Sequence, residues 1–306
     1  MVVLILVLSC NWHENTLYLI TVNTGYQDLV ELEIKRLVGL GWRDFSVNDS
    51  GIRIAKQLVE SEVSYPSESY SPDKGNAEST GIWASHRSKV ISQIMKSLGK
   101  NVMWEVGSGD GNVAISLRDR NQVVIGIEPL LSGATLSCMA GIRTYLGTLD
   151  SLELPSESID VIGAFDVLEH IERPDELLRE IYRVLKPEGI FLLTVPAHQW
   201  LYSDYDKSIG HFRRYSRRVL RDSLTGSGFQ KNQLNFMFSL FVVPALLLRR
   251  VPSLLGRNRN SQSTIRSVKR QNQLLSLLKP FLSALLAIER IVNLPIGLSL
   301  IGISKK

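Results

Sequence analysis

The sequence of 306 residues has little cysteine and no long, purely apolar run. Two cysteines are too few for a disulfide scaffold or a four-cysteine zinc site, and they are compatible with a reducing cytoplasm. The apolar segments 236–248 and 274–293 fall short of the roughly 20 clean apolar residues that a membrane-spanning helix needs. Segment 1–8 is apolar but lacks a basic start and a small-residue cleavage site, so we expect a buried strand there and no signal peptide.

Negative charge is absent from one stretch, and this accounts for the basic balance of the chain. Residues 249–270 carry seven Arg or Lys and no acid, whereas the formal net charge is +5, so the remainder stands at 5 − 7 = −2. A single basic patch indicates a surface partner and not general nucleic-acid binding.

The stretch 102–111 reads Val-Met-Trp-Glu-Val-Gly-Ser-Gly-Asp-Gly, an apolar strand that runs into a glycine loop. Glycine lets the backbone approach a ligand closely, and a helix starting near Asn112 directs free N–H groups at it. Glu128, about 20 residues on, suits both hydroxyls of a ribose.

Two features of this loop limit the choice of ligand. The spacing Gly-x-Gly-x-Gly without Gly-Lys-Ser/Thr excludes a P-loop and differs from the dinucleotide fingerprint. Glu105 would repel a pyrophosphate and attract a cation. S-adenosylmethionine carries an ammonium and a sulfonium and no phosphate, so it is the expected cofactor; a tight turn in some other α/β protein is the alternative.

Strands and helices alternate after residue 100. We expect strands at 2–8, 16–22, 102–106, 122–127, 142–146, 159–165 and 190–195, and helices at 27–40, 82–98, 130–139, 174–185 and 217–224, with a linker at 64–79. This alternation predicts a parallel sheet with helices on both faces.

Four segments resemble successive motifs of class I S-adenosylmethionine-dependent methyltransferases, of the bacterial methyltransferase domain 11/23 type. They are Glu105-Val-Gly-Ser-Gly-Asp-Gly111, Gly126-Ile-Glu-Pro129, Phe165-Asp-Val-Leu-Glu-His-Ile171 and Leu185-Lys-Pro-Glu-Gly189. The resemblance covers about 83–195. It implies a Rossmann-like α/β fold with a mostly parallel, seven-stranded sheet. Strands six and seven would be 230–237 and 297–304, with a helical apolar insertion between them.

The resemblance also implies the residues of a cofactor site. Thr148 stands where the family commonly has Asp, so the adenine contact there would be made by backbone alone. The expected cofactor-binding residues are Glu105, Gly107, Ser108, Gly109, Gly111, Glu128, Thr148, Leu149, Phe165 and Asp166.

The acceptor would bind beyond the carboxyl ends of the strands, where the polar and aromatic segment 196–215 follows the strand at 190–195. His198 and His211 are the candidate general bases, because an unperturbed His titrates near neutrality. No His/Cys cluster at ligand spacing appears, so no metal is expected. Alternatives stay open for some residues. Arg213 and Arg214 can be solvated or paired with Asp204 and Asp206, and Trp83 can be a core residue. The candidate substrate-binding residues are Trp83, Arg87, Tyr202, Arg213, Arg214 and Tyr215.

These features divide the chain into an appendage with linker (1–78), a methyltransferase core (79–236), an apolar and basic insertion (237–295) and a final strand (296–306). Apolar segments that flank a basic stretch favour peripheral contact with an anionic membrane face from the cytoplasm, and hence a lipid-linked or other amphiphilic acceptor. The alternatives are a methyltransferase for a soluble small molecule, with the insertion as a dimer interface, and a non-catalytic scaffold. A nucleic-acid substrate is not expected, because the Asn/Asp-Pro-Pro-Tyr/Phe signature is absent after the strand at 159–165, where Phe165-Asp-Val-Leu168 stands instead.

Overall fold

The computed structural model describes residues 2–8, 17–45, 52–55, 82–251, 286 and 294–306. The helices are α1 Thr24–Gly39, α2 Ile82–Ser97, α3 Asn112–Arg118, α4 Leu131–Met139, α5 Pro174–Val184, α6 Asp204–Ser208, α7 Arg217–Gly226 and α8 Val242–Ala245. The strands are β1 Val2–Leu8, β2 Leu17–Asn23, β3 Arg53–Ile54, β4 Val102–Val106, β5 Val123–Glu128, β6 Thr144–Leu146, β7 Ile159–Phe165, β8 Leu185–Pro196, β9 Gln230–Met237 and β10 Ser299–Lys305. The predicted linker and, apart from residue 286, the apolar segment 274–293 lie outside the described residues.

One mixed sheet carries the fold, with strand order β3-β6-β5-β4-β7-β8-β10-β9. The neighbours from β3 to β8 pair in parallel, whereas β10 is antiparallel to both β8 and β9. The predicted, mostly parallel α/β sheet is therefore confirmed. The sheet has eight strands and not the predicted seven, because the two-residue β3 adds an edge strand from the N-terminal region. β1 and β2 form a separate antiparallel pair.

The strands of the sheet centre are mostly apolar because helices cover both faces. All six residues of β5 are buried, and α1, α3 and α4 pack against this strand. Burial on both faces explains the near-continuous apolar runs of β5 and β7. In the described part of the chain, no helix has the length and apolar composition required to cross a bilayer.

Helix α1, from the N-terminal region, packs against the sheet. The Tyr26 hydroxyl donates to the Val124 carbonyl (2.8 Å), and the Trp42 indole N–H donates to the Leu152 carbonyl (2.8 Å). Val30 and Leu37 of α1 are fully buried in the same core. The domain boundary at 78/79 stays a prediction, but residues on both sides of it contribute to one hydrophobic core.

One strand boundary differs notably from its prediction. β8 begins at Leu185, five residues before the expected start at 190, because Leu185 pairs with Ile159 and a register irregularity follows. Glu188 takes a positive φ of 61° within this irregular stretch. The segment expected to end α5 thus also joins the sheet.

Candidate active site

A cavity of about 1290 Å³ lies beyond the carboxyl ends of β4, β5, β7 and β8. The chain runs from β4 outward to β5 and β6 on one side, and through β7 to β8 on the other, so the cavity lies at the switch point where open α/β sheets bind ligands. The predicted site residues that line it are Trp83, Arg87, Glu105, Gly107, Ser108, Gly109, Glu128, Thr148, Leu149, Phe165, Asp166, His211 and Arg214.

The glycine loop after β4 needs its glycines for two different reasons. Gly107, Gly109 and Gly111 all have positive φ, at 68°, 57° and 81°. A Cβ on Gly107 would lie 2.7 Å from Val167 Cγ2, and one on Gly111 would lie 2.7 Å from Ser137 Oγ. Backbone conformation and close packing therefore both exclude side chains.

Glu128, at the end of β5, ties this loop to the sheet. Its Oε2 accepts from the Gly109 N–H (2.7 Å) and its Oε1 accepts from the Leu130 N–H (3.0 Å). Burial raises the pKa of the Glu128 carboxyl to about 7, although both hydrogen bonds oppose that shift. Each carboxylate oxygen has a second lone pair, so the oriented group can still accept hydrogen bonds from hydroxyls of a ligand.

Glu105 is a buried carboxyl on the cavity wall, with only 2% of its surface exposed. Its Oε2 has no hydrogen-bond partner among the described residues. Burial raises its pKa to about 8, while the charge of Arg87 partly offsets the shift and Asp110 and Glu128 add to it. A ligand that brings a cation to this oxygen would be bound strongly, because the carboxylate lacks a compensating partner.

The wall opposite the glycine loop includes Thr148 and Leu149. The Thr148 N–H donates to Ser151 Oγ (3.0 Å), and the same hydroxyl donates to the Thr148 carbonyl (2.7 Å). Ser151 thus already engages both backbone groups through which Thr148 was expected to contact a ligand; the carbonyl keeps a second lone pair.

Asp166, immediately after β7, is held rigidly at the cavity floor. Its carboxylate pairs with Arg87 and accepts from Thr194 Oγ1 (2.9 Å), and its N–H donates to the Thr194 carbonyl (2.9 Å). Its φ of 59° is unusual for a residue other than glycine. These contacts fix the floor beside the position of the glycine loop.

His211 lies at the other end of the cavity, within a buried polar cluster. Its Nδ1 lies 3.1 Å from Asp206 Oδ1, which also accepts from Arg214 Nε at 2.7 Å. Burial alone would raise the pKa of Asp206, but the hydrogen bonds and charges of His211 and Arg214 outweigh it and lower that pKa. Ser203 fixes the other oxygen of Asp206 through a capping box at the start of α6.

The far side of His211 faces two residues that sequence reasoning did not select. His211 Nε2 lies 3.9 Å from Glu169 Oε1, and the rings of His211 and His170 are 4.6 Å apart. Burial raises the pKa of Glu169 well above its usual value and lowers the pKa of His170 to about 4. A histidine held in this way can accept a proton or bind a metal ion through Nε2. Glu169 and His170 lie in the motif 165–171, but nothing local in the sequence shows that His211 joins them.

Five predicted residues do not line the cavity. Gly111 is the N-cap residue of α3 and donates its N–H to the Ser108 carbonyl. His198 stacks on Phe236, with ring centroids 5.0 Å apart. The roles predicted for all five residues stay predictions. The side chains of the other three donate to backbone carbonyls: Tyr202 to His211, Arg213 to Glu172 and Tyr215 to Leu168.

Residues 83–234 match the family described as "Methyltransferase domain". A relative from Mycolicibacterium smegmatis, named a "Probable S-adenosylmethionine-dependent methyltransferase", is 29% identical over 152 residues, which cover 47% of this chain and 58% of the relative. An uncharacterized methyltransferase of Mycobacterium tuberculosis is 27% identical over 148 residues, covering 47% and 57%. The chain thus spans somewhat over half the length of these relatives. A solved S-adenosylmethionine-dependent methyltransferase from Archaeoglobus fulgidus is 17% identical, with 72% of this chain and 94% of that chain covered and a TM-score of 0.47.

Proposed function

Because residues 83–234 of this chain belong to the methyltransferase domain family, we propose that the protein transfers the methyl group of S-adenosylmethionine to an amphiphilic acceptor. The family and the fold class expected from the sequence are confirmed. The observation that carries the cofactor assignment is the buried Oε2 of Glu105, which lacks a hydrogen-bond partner among the described residues and lies beside the glycine loop.

The residues of the cavity fit this cofactor. S-adenosylmethionine supplies a methyl group on a positively charged sulfur, which keeps the C–S electron pair when the acceptor's lone pair bonds to the methyl carbon. In our proposal, the Glu105 carboxylate receives the cofactor's ammonium and Glu128 accepts from its ribose hydroxyls. The positive φ angles of the loop glycines give the loop the shape that lines this cavity. The cavity of about 1290 Å³ exceeds the roughly 300–1000 Å³ of a typical single-ligand pocket, which supports an acceptor beside the cofactor.

We place the acceptor between Trp83 and His211, on the part of the wall that the predicted cofactor residues leave free. Methyl transfer is an in-line displacement, so alignment of the two reactants can supply much of the acceleration. Asp166 is held in place by its hydrogen bond from Thr194, and His211 is oriented by Asp206. Both side chains can therefore help to align the acceptor. The acceptor's nucleophilic atom then lies at the His211 end of the cavity.

An apolar surface next to the cavity supports an amphiphilic acceptor. Ala245 of α8 and Leu298, just before β10, line the cavity. Exposed large apolar side chains lie near these two residues in sequence. They are Leu240, Val243, Leu247, Val251 and Ile296. The basic stretch 249–270 begins there, and such a combination suits an anionic membrane surface.

Calorimetry with S-adenosylmethionine tests the cofactor assignment. Glu128→Ala should weaken binding at least tenfold, because it removes both the predicted ribose contact and the anchor of Gly109. Glu188→Ala, at an exposed position near the start of β8, is the matched control and should leave binding unchanged. Failure of the wild-type protein to bind the cofactor would refute the proposal.

Liposome flotation tests the membrane surface. We expect the full-length protein to float with anionic vesicles, and the double variant Val243→Ser/Leu247→Ser to float less. Val219→Ser, an equally exposed valine on α7, is the control and should float like the wild type. Failure of all three proteins to float would refute membrane contact, and equal flotation of all three would refute the role of this apolar surface. A dimer that the double variant dissociates would favour a subunit interface instead.

Labelled cofactor identifies the acceptor class. Incubation of the protein with methyl-labelled S-adenosylmethionine and a membrane-lipid extract should place label in the organic phase. Label that appears only with a water-soluble extract would refute the amphiphilic acceptor but not methyl transfer. Cofactor binding without transfer to either extract would favour the non-catalytic scaffold.

A further inference from the structure

Three side chains of the types that bind transition metals meet at the acceptor end of the cavity. Glu169, His170 and His211 each offer one ligand atom, and these atoms all lie within 4.8 Å of one another. All three residues line the cavity. We propose that Glu169, His170 and His211 bind one divalent transition-metal ion.

Glu169 supplies the strongest argument. Its side chain is fully buried, and neither carboxylate oxygen has a hydrogen-bond partner among the described residues. The two neighbouring carboxylates are compensated, Asp166 by Arg87 and Asp206 by Arg214. Glu169 has no Arg or Lys within ion-pair distance in the described part of the chain. A buried carboxyl group of this kind is either protonated or paired with a cation, and a metal ion at this position would supply the cation.

His211 is oriented as a metal-binding histidine usually is. Its Nδ1 is hydrogen-bonded to Asp206, which in turn is held by Arg214 and Ser203. A carboxylate on one ring nitrogen fixes the tautomer and directs the other nitrogen at the metal. Here the nitrogen left free for that purpose is Nε2, the atom that faces Glu169.

The three ligand atoms lie within 4.8 Å of one another, and one pair is close to the spacing that ligands have around a metal ion. For bonds of about 2.1 Å at tetrahedral angles, neighbouring ligand atoms lie about 3.4 Å apart. His211 Nε2 and Glu169 Oε1 are 3.9 Å apart, so they need to approach by only half an ångström. Two imidazoles and one carboxylate are a ligand set of catalytic zinc and of non-haem iron, and three protein ligands leave a position open.

The use of this position in catalysis rests on the proposed function. An acceptor hydroxyl at the open position would lose its proton more readily. The O–H bond breaks and its proton passes to solvent water, the oxygen forms the bond to the methyl carbon, and the C–S electron pair remains on sulfur. The acceptor class would then be a hydroxyl compound.

Titration of the purified, tag-free, full-length protein with Co²⁺ tests the site without cofactor or acceptor. After treatment with chelator and its removal, the protein should bind one Co²⁺ and develop the visible absorption of a low-symmetry cobalt site, and Zn²⁺ should displace it. Glu169→Gln should weaken Co²⁺ binding at least tenfold, and Asp206→Asn by about 10- to 100-fold through its effect on His211. Glu188→Gln is the matched control and should bind like the wild type.

The outcomes separate this proposal from the proposed function. A wild-type protein that binds no Co²⁺, or a Glu169→Gln variant that binds it as tightly as the wild type, would overturn the metal site. Full methyl transfer by chelator-treated protein would overturn the use of the metal in catalysis and leave His211 as a general base. Cofactor binding is measured separately by calorimetry on the metal-free protein, so loss of one result does not affect the other.

Discussion

Glu105→Gln should stabilise the cofactor-free protein relative to the wild type, and this difference should grow as the pH rises. The Glu105 carboxyl is buried, and its pKa is about 8 instead of the ordinary 4.5. Because the folded state holds this proton more tightly than the unfolded state, the free energy of unfolding falls as the pH rises from 4.5 to about 8. Gln has nearly the same shape and does not ionise, so it removes this loss.

The expected size follows from the pKa difference. One pKa unit corresponds to about 1.4 kcal/mol, so between pH 5 and pH 8 the wild-type protein should lose about 3 kcal/mol that the Glu105→Gln protein keeps. Glu128, with a pKa of about 7, is present in both proteins, so only its charge interaction with Glu105 remains in the comparison.

Urea unfolding of both proteins at pH 5, 6, 7 and 8 measures this difference. Glu188→Gln is the control: Lys305 lowers the pKa of Glu188, so its titration lies below the window. If the difference between wild type and Glu105→Gln stays constant from pH 5 to pH 8, the Glu105 carboxyl is ionised throughout, and the reasoning is refuted.

The same variant should bind S-adenosylmethionine more weakly, because it cannot supply a carboxylate. At pH 7 the wild-type Glu105 must lose its proton to receive a cation, so binding should release protons to the buffer. Calorimetry in two buffers of different ionisation enthalpy measures that release. Glu105→Gln should release fewer protons; equal release would show that another group is responsible.

Three further predictions concern single contacts. Tyr26→Phe should lower the free energy of unfolding by about 1 kcal/mol in urea unfolding, because it removes the hydrogen bond to Val124 that joins α1 to the sheet; no change would contradict that contact. Gly107→Ala should reduce S-adenosylmethionine binding at least tenfold in calorimetry, because its Cβ would lie 2.7 Å from Val167 in a backbone of positive φ; unchanged binding would contradict the close packing of the loop. Ser216→Ala should cost about 1 kcal/mol in urea unfolding through loss of the α7 cap, with cofactor binding unaffected; a loss of binding would contradict a purely local role.

The elements with strong local signals could be predicted from the sequence. β7 has the predicted bounds because a nearly continuous run of apolar residues marks it. β9 also has the predicted bounds, which came from the resemblance to the methyltransferase family. The helix α5 could be predicted equally well, since Pro174 begins it and its apolar positions repeat on one face. The sequence was sufficient to predict these elements because their bounds depend on residues that are close together in the chain.

The remaining features depend on contacts between distant segments. The docking of α1 depends on Tyr26 and Trp42 reaching carbonyls far along the chain. The cluster of Glu169 with His211 depends on the loop after β8 folding back over the loop after β7. No periodicity or spacing encodes such meetings, and for this reason the sequence reasoning expected no metal ligands.

The position of β10 has a consequence for the order in which the protein is built. β9 pairs only with β10 among the described strands, and β10 also pairs with β8. During translation, β9 therefore leaves the ribosome before its neighbour exists, and the edge of β8 stays open. At about 5–20 residues per second, synthesis of residues 238–305 takes about 3 to 14 seconds. For that interval the nascent chain exposes an unpaired strand and an unpaired sheet edge, a period in which chaperones would have most to protect.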